Sequence, residues 1–303
     1  MKQSDKATLI GLTAIVLWSM IVGLIRSVSD YLGATGGAAL IYTLASVFLL
    51  LSLSWVRLRD FPRRYLIWGS VLFVCYELCL ALSIGYAHNS QQAIEVGMVN
   101  YLWPTFTIVA AILFNKQRAN WLIAPGLLLS MMGISWILGG EQGLSLHGIW
   151  LNVQDNPLSY GLAFSGALIW AGYSTMTARI GQGKNGITLF FMLTATVLWM
   201  KYLGQGAPAM TFTLPALIYL LLAAMAMGFG YAAWNVGILH GNVTILAGAS
   251  YFIPVLSAAL STFLLQAPLT PSFWQGSAMV CSGALLCWLA IRVCKPRPMK
   301  SAT

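Results

Sequence analysis

The 303-residue chain is 59% hydrophobic and 8% charged, and its formal net charge is +9. Its mean hydropathy is +0.79. Soluble domains carry about 25% charged residues, so this composition excludes a soluble globular protein and leaves almost no mass outside a membrane.

Apolar runs of roughly 17–25 residues, each long enough to cross a bilayer as a helix, recur along the chain. They predict ten spans, at 7–26, 34–55, 65–87, 91–114, 120–139, 158–179, 187–203, 214–239, 242–265 and 272–292. The fold class expected is an all-α polytopic membrane protein. The first span is too long for the apolar core of a cleaved signal, and no small-x-small site precedes Arg26. The third carries Glu77, about 12 residues from its inner end and so about 18 Å deep at 1.5 Å per residue. A carboxyl at that depth is a proton site, a counter-charge for an ammonium group, or a hydrogen-bonded packing residue. The fourth span opens with the unusual string EVGMVNYLWP, residues 95–104. Glu95 sits near its outer end and is expected at the outer interface or capping a neighbouring helix. After the fifth span comes the long acidic link GEQGLSLHGIWLNVQDNP, read as a loop. The seventh span is short and ends near Lys201.

Within several spans, residues of pocket type share one helix face. Gly97, Tyr101, Pro104 and Ile108 do so in the fourth, flanked by Asn100, with Trp103 farther round. Gly69, Tyr76 and Ser83 do so in the third, Gly166, Trp170, Tyr173 and Thr177 in the sixth, and Gly230, Trp234, Gly237 and Gly241 in the eighth. Small residues beside rings are either plain helix packing or a ring-lined recess. Pro104 would free the carbonyl of Asn100, and Pro254 that of Ser250, beside Tyr101 and Tyr251. Freed carbonyls in hydrocarbon need a partner; a matched pair with polar neighbours favours a pocket wall over a packing kink. Trp55, Tyr65, Trp121 and Trp274 lie near span ends and read as an interfacial belt.

Cys75, Cys79, Cys281, Cys287 and Cys294 lie in spans or at a span end, with neither disulfide nor zinc spacing. His88, His147 and His240 fall at surfaces. No phosphate loop, catalytic triad or HExxH string is present, so no enzyme, cofactor or metal is expected. With the N-terminus in the cytoplasm, 14 basic residues (Lys2, Lys6, Arg57, Arg59, Arg63, Arg64, Lys116, Arg118, Arg179, Lys184, Arg292, Lys295, Arg297, Lys300) face inward and only Arg26 and Lys201 outward. This positive-inside bias argues for cytoplasmic termini and against nucleic acid as the reason for the charge.

The chain also repeats. Tyr101 matches Tyr251, Pro104 matches Pro254, Gly126 matches Gly276 and Gly133 matches Gly283, each 150 positions apart, while Trp18 matches Trp170 at a slightly different offset. Five spans per half force the second half to enter from the opposite side. The expectation is two inverted five-helix repeats, at 1–145 and 146–303, with a substrate site between them near the midplane.

Ten spans, inverted halves, the paired prolines and a basic tail resemble the drug/metabolite transporter superfamily, EamA-type branch. The strings QQAIEVGMVNYLWP, YAAWNVGILHGNVTI and SFWQG look like its bacterial aromatic amino acid exporters. The resemblance covers about 7–292. It implies export of aromatic amino acids (Phe, Trp and Tyr), with other amino acids as further candidates, across the bacterial inner membrane, by alternating access through a cavity bounded by spans 1, 3, 4, 6, 8 and 9. It implies no protein partner beyond lipid and small-molecule substrate. Asn100, Tyr101, Trp103 and Pro104, with Ser250, Tyr251 and Pro254, carry over from the motifs; Trp170 and Tyr173 are placed by span, and Tyr76 and Trp234 join them as facing aromatics. Ile253 stands where the first half has Trp103. The alternative is a multidrug or organic-cation exporter using Glu77 as counter-charge or proton site.

Overall fold

The computed structural model describes residues 3–53, 58–182 and 184–292. Lys2, Trp55, Arg57, Cys294, Lys295, Arg297 and Lys300, named above, lie outside the described residues. Among the described residues every regular element is helical.

The first apolar run is bent. α1 (Gln3–Ser19) and α2 (Ile21–Leu32) meet at 42° across Met20, so the element reaches beyond the expected 7–26. It stops where Gly33 takes φ +73°, a conformation that costs glycine nothing. α3 (Ala34–Ser52) follows. A π-helical turn, Tyr65–Gly69, feeds α4 (Ser70–Gly85). α5 (Ser90–Asn100) begins at Asn89, whose side chain accepts the Gln92 N–H at 2.8 Å, an N-cap. α6 (Trp103–Asn115) and α7 (Ile123–Leu138) complete the first half.

The acidic link is not a loop throughout. Residues Leu146–Asp155 form α8, capped by Ser145, and α8 has no buried residue; Leu146, Trp150 and Leu151 are exposed. Then come α9 (Pro157–Ile180), α10 (Ile187–Gly204), α11 (Leu214–His240), α12 (Val243–Ser250), α13 (Ile253–Leu265) and α14 (Pro271–Arg292). α9 and α11 start with proline in the first turn behind Asn156 and Thr213 caps, where a missing N–H leaves nothing unpaired.

Among the described residues six helical stretches are long and apolar enough to span a membrane, Ala34–Ser52, Tyr65–Gly85, Ser90–Asn115, Ile187–Gly204, Leu214–His240 and Pro271–Arg292, and the bent pair α1/α2 makes a seventh if it is one span. Val16, Leu128 and Phe263 are 54%, 63% and 77% exposed on outward faces. Such surface suits lipid rather than water. The chain is a polytopic, all-helical membrane protein.

The paired prolines act differently from a simple kink. α5 ends at Asn100, and the Leu102 N–H bonds the Val99 carbonyl at 3.2 Å before α6 resumes at Trp103. Pro104 therefore sits in a new first turn, where it is pre-organised, rather than inside a continuous helix. The same break separates α12 from α13 at Tyr251 and Phe252, with Pro254 in the first turn of α13. α6 and α13 both run 13 residues and both end on a left-handed residue, Lys116 (φ 54°) and Gln266 (φ 51°).

Helix pairing explains the glycine matches. α7 packs along α14, where a Cβ at Gly133 would lie 2.7 Å from the Gly276 carbonyl oxygen and one at Gly283 2.6 Å from that of Gly126. The backbones meet there only because no side chain intervenes. α1 pairs with α11, α4 with α9 and α3 with α10. The last contact includes a hydrogen bond from Trp199 Nε1 to Thr43 Oγ1 at 2.9 Å.

Candidate functional site: an aromatic cavity between the halves

A cavity of ≈ 230 Å³ opens between α1/α2, α4, the α5/α6 break, α9, α11 and α13. Six of the side chains expected at a pocket line it: Tyr76, Asn100, Tyr101, Trp103, Trp170 and Trp234. The rings form a connected wall. Tyr76 and Trp170 centroids are 4.5 Å apart, Trp103 and Trp170 are 5.9 Å apart and edge-on, and Trp18 meets Trp234 at 5.2 Å. The Trp103–Trp170 edge contact is a favourable ring geometry, and the other two pairs are tilted.

Asn100 is placed by packing. Its Nδ2 donates to the Ala163 carbonyl at 3.2 Å. Gly166 makes this approach feasible, since a Cβ there would sit 2.9 Å from Asn100 Nδ2. The helix break at Tyr101–Leu102 is what brings Asn100, Tyr101 and Trp103 to one wall.

The remaining expected residues lie elsewhere. Tyr173 lines an adjoining chamber of ≈ 450 Å³ that shares Trp18, Trp170, Tyr231 and Trp234 with the first. Pro104 is buried in the first turn of α6, off the cavity surface. Ser250 donates to the carbonyl of Ala247 at 2.9 Å, and Tyr251 packs against Trp288, centroids 6.2 Å apart. Neither these two nor Pro254 line the cavity; Ile253 does. The break in the second half thus presents an aliphatic side chain where the first half presents Trp103.

Glu77 is fully buried. It accepts from the Tyr42 hydroxyl on α3 at 2.5 Å through Oε2 and from the Tyr231 hydroxyl on α11 at 2.8 Å through Oε1. It does not face the cavity; Tyr231 stands between, with its ring 5.0 Å from Trp18.

Trp18, Val22, Ser174 and Tyr231 also line the cavity and were not singled out as binding residues from the sequence. The signal was present in the repeat. Trp18 precedes Trp170, and Val22 precedes Ser174, by the same 152 positions.

At the end of α4, a polar network ties the two halves. The Asn156 amide donates to the Tyr86 carbonyl and to Gln92 Oε1, both at 2.9 Å. Gln92 donates to Asp155 at 2.9 Å, and His88 Nδ1 lies 3.0 Å from the same carboxyl. These bonds to Gln92 and His88 hold the Asp155 carboxyl below the usual carboxylate range. Glu95, expected at the outer interface or capping a neighbouring helix, is buried against α8 and α9. It accepts from Tyr160 and Asn152, each at 2.9 Å. Tyr65, expected in the interfacial belt, is buried and accepts the Gly186 N–H at 3.1 Å; Trp121 is 76% exposed.

Comparison with known proteins agrees over nearly the full length. Residues 157–289 match the model of the EamA-like transporter family. The aromatic amino acid exporter YddG of Salmonella typhimurium is 61% identical over 95% of this chain and 99% of its own. That of Escherichia coli is 60% identical over 95% and 98%. The YddG of Ancylobacter novellus is 25% identical over 95% and 99%. A crystal structure superposes with a TM-score of 0.68 at 22% identity, covering 94% of this chain and 99% of its own, a likeness of fold alone.

Proposed function

The chain belongs to the family of the YddG aromatic amino acid exporters, within the EamA-like transporters, and on that premise we propose that it exports Phe, Trp and Tyr across the bacterial inner membrane through the ring-lined cavity. The observation that carries this reading is the cavity itself, with seven aromatic side chains in its lining and Asn100 at the helix break. Each well-oriented ring contact adds about 0.5–1.5 kcal/mol beyond area burial, enough to select an aromatic side chain while leaving release easy.

The architecture proposed with it is ten spans in two inverted five-helix repeats, 1–145 and 146–303, with both termini cytoplasmic. The matched breaks, matched left-handed caps and the glycine contact support the repeat. A contact of Gly126 with Gly283 becomes, on shifting both by 150 positions, the contact of Gly133 with Gly276; a two-fold relation between halves requires this reciprocity. The same holds for α1 with α11 and α9 with α4. Alternating access would then rock one half against the other. Tyr76, Asn100, Tyr101, Trp103, Trp170, Tyr173 and Trp234 are the proposed substrate contacts. Pro104, Pro254, Ser250 and Tyr251 shape the two breaks. Glu77 serves as a tie for Tyr231 and Tyr42, since both its oxygens are engaged.

The test is counterflow of labelled Phe, Trp and Lys in proteoliposomes holding the purified protein. Accumulation of Phe and Trp over Lys is expected; equal accumulation of all three, or none, would remove the assignment.

A further inference from the structure

The ≈ 450 Å³ chamber that adjoins the aromatic cavity carries a chemistry of its own. It runs from the four shared rings toward the link between α9 and α10, where Lys184 and Asn185 line it. Of its lining residues Lys184 is the one with a formal charge, and none is a carboxylate. Among the described residues Lys184 makes no ion pair.

The link that carries this lysine is fastened at three points. The Lys184 N–H bonds the Gly181 carbonyl at 2.9 Å. The Asn185 side chain accepts the Ile187 N–H at 3.0 Å, and the Gly186 N–H is held by Tyr65 Oη at 3.1 Å. Residues 184–186 are thus tied to the start of α10 and to the π-helical turn before α4. α10 also begins on this wall, with its positive dipole end beside the lysine. Tyr173, Thr177 and Asn235 line the chamber too: a ring and neutral polar groups.

We infer that this chamber is a second amino acid site, a loading site in which Lys184 receives the carboxylate and the Tyr173/Trp170 wall receives the aromatic ring before the substrate passes the shared rings. A free amino acid is a zwitterion. The inner cavity offers its aromatic part a lining but offers its carboxylate no cation. Lys184 supplies that cation one chamber away, and aromatic faces suit the ammonium group. The inference rests on the function proposed above and adds where the head group is recognised.

Wild-type exchange of labelled phenylalanine is measured first; its absence would overturn the proposed function and this site together. With exchange established, Lys184→Gln and Lys184→Arg are compared, using phenylalanine and the competitor phenylalaninamide, which lacks the carboxylate. Lys184→Gln should raise the half-saturation for phenylalanine about two- to fivefold, the size of an exposed ion pair, with maximal exchange unchanged. The inhibition constant of the amide should not rise, and Lys184→Arg should behave as wild type. An unchanged half-saturation in Lys184→Gln, or equal weakening of both ligands, would overturn the site.

Discussion

The hydroxyl of Tyr231 donates to Oε1 of Glu77 at 2.8 Å, so one side chain both lines the aromatic cavity and satisfies a fully buried carboxyl. Its ring packs against Trp18, 5.0 Å away, and Phe191, 5.2 Å away. Cavity shape and helix packing are therefore joined at this residue. Tyr231→Phe and Tyr42→Phe each remove a donor from Glu77, and leaving a buried acceptor short costs about 1–3 kcal/mol. Both variants should melt at lower temperature in detergent, with Glu77→Ala lower still. Equal melting of all four proteins would show that the tie carries no stability.

Trp170 contacts Tyr76, Trp103 and Tyr173 at once. Trp170→Ala should raise the half-saturation for phenylalanine about two- to twelvefold, which is one ring pair of roughly 0.5–1.5 kcal/mol. Tyr251→Phe should leave it unchanged, because that side chain packs on Trp288. A kinetic effect of Tyr251→Phe as large as that of Trp170→Ala would shift the site toward α12.

Gly133→Val would push side-chain atoms into the Gly276 carbonyl. Overpacking of this kind costs about 1–3 kcal/mol and should lower the yield of monodisperse protein in size-exclusion chromatography. Gly161→Ala is the control, since nothing lies within 4 Å of its added Cβ, and normal yield is expected.

Asp155 gives a pH signature. Its carboxyl is held below the unfolded value, near 3.9 for Asp, by Gln92 and His88. A depressed carboxyl stabilises the folded state above the unfolded pKa, and that contribution disappears as pH falls through the lower folded value. Asp155→Asn should therefore melt below wild type at pH 7, and the gap should close below about pH 4. A gap that widens in acid would mean that the carboxyl is not what holds this network.

Much of this was legible in residue spacing because membrane helices must satisfy their backbone internally. Apolar runs then mark helices almost directly, and Tyr76, Asn100, Tyr101, Trp103, Trp170 and Trp234 follow from faces and motif. The misses share one cause: spacing shows which residues share a helix face but not which neighbour covers it. Tyr65 reads as interfacial until the α9–α10 link is seen over it. Glu95 reads as outward until α8 folds across. Tyr251 matches Tyr101 in sequence, yet α14 occupies the space that the cavity takes on the other side. The two breaks begin three residues before each proline, at Tyr101 and Tyr251, which depends on local hydrogen bonding there.

The cavity has Trp103 on one wall and Ile253 at the matching place on the other, so its two faces are not interchangeable. For a carrier with no coupled ion, detailed balance fixes the ratio of maximal rate to half-saturation as equal in both directions. Unequal walls cannot change that ratio, but they can change both of its parts together. One side of the membrane then saturates at low concentration and low flux, the other at high concentration and high flux. A single tryptophan without a twin would thus make the protein a valve whose ceiling depends on the direction of flow, with no energy source needed.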